Sequence, residues 1–294
     1  MVTDYLDGAI DLHIHIGPDD SPRYYDSIDL ARDASNRKMR AVVIKDHLSS
    51  SASKAVLSTK VSPGTLVFGA IALNETVGGL NPRSVVSAIR TAGKVVWMPT
   101  VDASFCVEKG RQGHWIKEYI HKKSFGYSTQ GISLLTADSR ELKPEVAEIM
   151  SICHRESVIL STGHVGPREC LALAELARRT GFDKLVVCHP NAWLEDFTLP
   201  ILKELGEMGA YLELTFGACS PLHDRLDPHR IAEIIRLVSP SRCVLSTDYG
   251  QVECAPPPEG LRIYCAVLSK CGISDEEITM MTKTNPARLL GLEA

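Results

Sequence analysis

Short apolar runs rich in Val, Ile and Leu return along this chain at nearly even intervals, and that rhythm constrains the fold more than any other feature. The runs are Ala9–Ile16, Arg40–Lys45, Thr65–Leu73, Lys94–Met98, Ser157–Ser161, Lys184–Cys188, Ala210–Thr215 and Arg242–Ser246. Their starts lie about 25–32 residues apart except for one step of about 63, and about 30 residues hold one strand and one crossover helix. Most are apolar at consecutive positions, the pattern of parallel strands covered on both faces. Eight such units predict an α/β fold, a (β/α)8 TIM-like barrel, as a single domain over residues 1–294. A doubly wound open sheet would carry a glycine-rich phosphate turn after an early strand, whereas the turn after Ile16 reads Gly17-Pro18-Asp19-Asp20. The long step, residues 101–144, reads as an elaborated loop after strand 4 on the catalytic rim; it carries Phe105, Arg111, His114, Trp115, Tyr119 and Tyr127.

Later segments read as helices. Pro167–Thr180 is followed by Gly181 as a stop, Asp227–Val238 reads as a further helix, and Ser274 with Glu277 forms a capping-box spacing at the head of Asp275–Met281. Asn81 and Pro82 read as the cap and first position of another. A net charge of −4 argues against nucleic acid, which needs a basic face. No run approaches the roughly 20 apolar residues of a membrane span, and the acidic start lacks a signal peptide's basic and apolar regions, so a cytoplasmic protein is expected. The 9 Cys include no CxxC pair and read as reduced and mostly buried. A homo-oligomer is left open.

Residues i and i+2 of a strand share a face, so His13 and His15 in Asp11-Leu12-His13-Ile14-His15 should both point into the barrel, with Leu12 and Ile14 against the helices. His164, His189 and Asp248 stand at the C-terminal ends of later predicted strands, where barrel enzymes place catalytic groups. Any one of them alone would more often be a hydrogen-bonded structural residue or a helix cap. Five on one rim, from strands 1, 5, 6 and 8, point to a hard-to-borderline metal site suited to Zn(II), with Mn(II), Fe(II) or Ni(II) as alternatives.

In this order of ligands the chain resembles the amidohydrolase superfamily of metal-dependent (β/α)8 hydrolases. The resemblance rests on the HxH of strand 1, single histidines on strands 5 and 6 and the aspartate of strand 8, and it implies a divalent metal and a small-molecule substrate. Binuclear members carry a bridging Lys or Glu at the end of strand 4, where this chain reads Val95-Val96-Trp97-Met98-Pro99-Thr100-Val101-Asp102. The resemblance is therefore to the mononuclear pattern, with one ion held by His13, His15, His164 and Asp248 and with His189 close by. Asp102 is a weaker substitute bridge.

Lys45 and His47 share a face of strand 2 and are candidates to meet substrate, with a rim ion pair, or a carboxylated Lys45, as the other readings. Asn74, Arg111 and Trp115 complete the candidate substrate contacts, although Asn in a turn more often satisfies backbone. Glu213, inside an apolar run, needs a partner such as Lys45, His189, substrate or a helix residue. Cys188 beside His189 raises a cysteine nucleophile, which opposite directions on a strand disfavour. The expected activity is hydrolysis of an amide, lactam, imide or ester by a metal-activated water, with Asp248, His189 and Lys45 as the catalytic groups. The alternatives are metal-dependent decarboxylation or lyase chemistry on a small carboxylate, a phosphoesterase lacking an evident phosphate clamp, and a non-catalytic metal-binding barrel.

Overall fold

The computed structural model describes residues 4–112, 130–138, 141–221 and 223–292. Its eight strands are β1 (Ile10–His15), β2 (Ala41–Lys45), β3 (Leu66–Ala72), β4 (Gly93–Trp97), β5 (Ile159–Ser161), β6 (Leu185–Val187), β7 (Tyr211–Thr215) and β8 (Cys243–Ser246). Each pairs in parallel with the next in chain order. The sheet closes just beyond β8, where the Asp248 N–H donates to His13 O at 2.9 Å and the His15 N–H to Tyr249 O at 2.8 Å. The fold is a (β/α)8 barrel with an extended connection after β4, and all eight predicted strands are present.

Two apolar layers follow from the alternation of side chains across each strand. Ile10, Val43, Ala72, Val95, Ile159, Val186, Tyr211 and Val244 fill the lumen. Val42, Ile44, Ile71, Val96, Leu160, Val187, Leu212 and Leu245 pack outward against the helices. Both faces are buried, which explains the consecutive apolar runs. Helix Asn285–Leu290 sends Ala287, Leu289 and Leu290 against the lumen cluster and closes the barrel opposite the strand C-termini. The predicted caps are present, Asn81 Oδ1 accepting from Arg83 N and Ser274 and Glu277 bonding reciprocally, and Asp227 Oδ1 caps a further helix by accepting from His229 N. The helix expected over Asp275–Met281 continues through a π-helical turn, Met280–Thr284, into Asn285–Leu290.

One side chain departs from strict alternation. Ile14 packs outward as expected, but Leu12 lies in the lumen cluster. The register between β1 and β2 shifts between Asp11 and Ile14, and such an irregularity re-aims side chains next to a site. Of the long connection, helix Ser104–Arg111 and residues 130–138 precede helix Pro144–Arg155. His114, Trp115, Tyr119 and Tyr127 lie outside the described residues.

Candidate metal centre

Backbone geometry at the strand ends brings the polar groups together. His189 and Asp248, each two residues beyond the end of its strand, adopt left-handed conformations with φ of 28° and 57°, a placement that is costly for non-glycine residues and concentrates at functional sites. Gly163, at φ 61°, lets the segment before His164 pass β4: a Cβ there would stand 2.3 Å from Met98 O. Gly250 presses behind His15 in the same way, where a Cβ would stand 2.0 Å from His15 O.

His13, His15 and Asp248 converge. Asp248 Oδ1 lies 3.0 Å from His13 Nε2 and 3.0 Å from His15 Nε2, and the donor atoms of the three all lie within 4.8 Å of one another. Behind them, His13 Nδ1 stands 3.1 Å from Glu213 Oε2, with both residues buried. Lys45 is also buried and reaches His13 Nε2 at 3.0 Å, its Nζ 5.3 Å from the centre of the Trp97 ring. Lys45 thus points into the cluster rather than forming an ion pair on the rim.

This arrangement fits a cation. The Glu213 carboxylate only accepts, so it holds the His13 proton on Nδ1 and leaves a lone pair on Nε2 facing Asp248. One ring nitrogen cannot serve both the carboxylate of Asp248 and the amine of Lys45, and His15 Nδ1 is buried with no partner among the described residues. Ligand atoms about 2.0–2.2 Å from a shared ion stand roughly 3 Å from each other, as Asp248 Oδ1 does from each of the two imidazole nitrogens. The three residues form a candidate divalent-metal site.

Burial alone would depress the His13 imidazole, but the carboxylates of Asp248 and Glu213 outweigh it and hold the ring well above its ordinary value; they call for a positive charge at Nε2, which either a second ring proton or a bound ion in its place supplies. His15 lies well below, chiefly through burial and then the Arg23 guanidinium, and His164 well below through burial and Lys45. Both therefore offer lone pairs at neutral pH. Burial would raise the carboxyl groups of Asp248 and Glu213, yet contact with His13 brings both down, Asp248 well below the usual range.

Above the cluster opens a cavity of about 250 Å³, lined among the described residues by His15, Lys45, His47, His164, His189 and Asp248, with Arg23, Trp193, His223 and Gln251 at its walls. The rings of His164 and His189 are 4.8 Å apart and those of His15 and His47 4.9 Å apart. His164 Nδ1 is backed at 3.6 Å by Cys106 Sγ, while His189 Nδ1 accepts from Trp193 Nε1 at 3.3 Å. Neither His164 nor His189 belongs to the tight set of His13, His15 and Asp248.

Other candidates have different places. Asn74 is fully buried, donating to His47 O and Thr100 Oγ1 and accepting from the N–H groups of Thr100 and Asp102; it ties three strand ends together and does not line the cavity. Arg111 lies exposed on its helix, 3.6 Å from Glu108. Trp115 is outside the described residues. Asp102 Oδ2 accepts from the backbone of Glu75 and is no bridge in the cluster. Strand alternation does not keep Cys188 and His189 on opposite faces, because the left-handed turn at His189 returns that ring to the lumen side. Burial pushes the Cys188 thiol up, but His189 and Lys45 bring it to about 7; Cys188 is absent from the cavity lining.

Arg23 went unnoticed in the sequence. Its Nε and Nη2 grip Asp19 Oδ2 at 2.9 and 2.7 Å, with both side chains almost wholly buried. Its one signal is a position in the loop that follows β1.

A family model described as a family of unknown function (DUF6282) matches residues 8–213. Comparison with curated proteins gives no match. Among solved structures, a dipeptidase superposes with a TM-score of 0.62 at 11% identity, covering 97% of this chain and 98% of that one. An amidohydrolase from Pseudomonas aeruginosa gives 0.61 at 12%, covering 98% and 96%. A dihydroorotase from Campylobacter jejuni gives 0.57 at 12%, covering 100% and 87%. At these identities the likeness is one of fold.

Proposed function

The chain belongs to the DUF6282 family, whose description leaves its activity to be read from the cavity, and we propose that it is a metal-dependent hydrolase of a small molecule. One observation carries the reading: two imidazoles and a carboxylate meet at 3.0 Å spacings beneath a cavity at the C-terminal mouth of a barrel, with a carboxylate fixing one imidazole's tautomer. The likeness in fold to an amidohydrolase and a dihydroorotase supports it.

His13, His15 and Asp248 would hold one divalent ion, with His164 within reach. Zn(II) suits this set of nitrogen and carboxylate donors, and when bound it supplies a Lewis acid that brings the pKa of a water to about 7. Asp248, held ionised and partly open to the cavity, accepts the proton of the attacking water and returns it to the leaving group. Lys45 and His189 face the place where a scissile carbonyl would sit and stabilise the oxygen that gains charge. Arg23 and His47 wall the site. The volume and enclosure favour a small amide, lactam, imide or ester over a polymer.

The test is metal content followed by turnover. The purified protein is expected to carry about one ion per chain, with His13→Ala and Asp248→Asn losing most of it. A panel of lactams, amides, imides and esters should then give activity that follows the metal. Full metal in both variants removes the proposed site. Release of carbon dioxide from a carboxylated ring, with no water incorporated, replaces hydrolysis by decarboxylation, and absence of any turnover leaves a metal-binding barrel.

A further inference from the structure

We infer that Trp193 fixes His189 as a hydrogen-bond donor to a substrate oxygen, so that strand β6 contributes recognition of a carbonyl or carboxylate and no ligand for a second ion. The inference rests on the metal site proposed above and assigns work within it.

Two buried imidazoles differ in what stands behind them. The Nδ1 of His13 faces Glu213, a carboxylate with no proton to give, so this nitrogen carries the proton and Nε2 keeps a lone pair for an ion. The Nδ1 of His189 faces the indole Nε1 of Trp193 at 3.3 Å. An indole nitrogen only donates, so here the lone pair is on Nδ1 and the proton of the neutral ring is on Nε2. A protonated Nε2 cannot ligate, and Nδ1 is already engaged. Ligation by His189 would require breaking the Trp193 bond or removing the one remaining N–H proton to leave an imidazolate. Two histidines within one cluster, their rings 5.8 Å apart, are thus held in opposite tautomers by partners of opposite hydrogen-bonding character.

Local sequence builds the device. The left-handed backbone at His189 leads into the 3-10 turn Pro190–Trp193, whose Ala192 N–H donates to His189 O and which carries the indole back over the histidine four residues before it. Asn191 pins that turn to β7 by donating to Thr215 O at 2.9 Å and accepting from Thr215 N at 3.1 Å. Phe105 packs edge-on against the indole. Both His189 and Trp193 line the cavity, which puts the His189 ring beside the place a substrate would occupy. Trp193 is a positioning residue in this scheme, and His189 the group that touches substrate.

The experiment joins nitrogen-15 correlation spectra of the histidine side chains, with His189 assigned by its loss in His189→Gln, to Zn(II) titration of wild type, His189→Gln, Trp193→Phe and His13→Ala. The expected spectrum shows His189 protonated on Nε2 alone in wild type, and a mixture of tautomers in Trp193→Phe. Zn(II) should bind as one equivalent to wild type, His189→Gln and Trp193→Phe with affinities within about threefold, well short of the 10–100-fold that disturbing a ligand's partner costs. A His189 protonated on Nδ1, an unchanged tautomer in Trp193→Phe, or an equivalent of Zn(II) lost in His189→Gln would overturn the inference and leave the metal site standing. Zn(II) binding unchanged in His13→Ala would remove the metal site itself, while the spectra still decide the role of Trp193.

Discussion

Glu213 shows how much a single residue's meaning depends on its partner. In the sequence it is a carboxylate within an apolar strand, and four partners are open to it. In the fold its Oε2 meets His13 Nδ1 at 3.1 Å, with both groups buried, and it thereby sets which nitrogen of His13 carries the lone pair. Glu213→Gln keeps an acceptor but removes the charge; it should weaken Zn(II) binding about 10–100-fold in a competition titration with little change in fold by circular dichroism. Undiminished affinity would make Glu213 a buried ion-pair partner and no more. Lys45 was legible as a residue facing the barrel mouth, as alternation along β2 requires. Its reach to His13 Nε2 was not, because a long flexible side chain is placed by its neighbours and not by its own strand.

At the level of elements, short loops carry the site groups off the strands. Gly250 has φ of 147° and no room for a side chain behind His15, whereas Gly181, at φ 70° after its helix, has nothing within 4 Å of the place a Cβ would take. Gly181→Ala should therefore cost only about 1–2 kcal/mol for a left-handed residue with a side chain. Gly250→Ala should cost more than that in chemical denaturation and also weaken Zn(II) binding, since His15 must shift; equal costs for the two would refute the close approach. Elsewhere, Glu259 joins the helix Pro257–Lys270 to the first helix, Ser27–Asn36, by accepting from Arg262 Nη2 at 2.7 Å and Arg37 Nη1 at 3.0 Å. The Arg262 bond comes first in holding its carboxyl below the ordinary 4.5. A depressed folded value stabilises the fold above the unfolded value, and that contribution disappears as pH falls through the folded one. Glu259→Gln should thus lower stability by less than about 1 kcal/mol at pH 7, with the difference from wild type vanishing in strong acid.

For the whole molecule, the barrel seam and the candidate metal site share residues. Asp11 is buried and accepts from Thr247 Oγ1 at 2.6 Å and from the His13 N–H at 3.0 Å, while Asp248 donates its N–H across the seam to His13 O. An ion held by His13, His15 and Asp248 would clasp β1 to the end of β8, so chelation should lower the thermal midpoint and added Zn(II) restore it, by an amount that grows with free metal. An unmoved midpoint would separate the site from the seam. No helix among the described residues is long and apolar enough to cross a membrane. The sequence alone determined the strand count, the parallel order and the rim on which His13, His15, His164, His189 and Asp248 stand, because strand periodicity and unit length are local properties that survive in one dimension. Tertiary structure decided that Leu12 turns inward, at a register shift of β1, that Asn74 binds backbone and that Glu213 selects the tautomer of His13. The last depends on a donor meeting an acceptor across strands 200 residues apart, and no spacing rule encodes the partner.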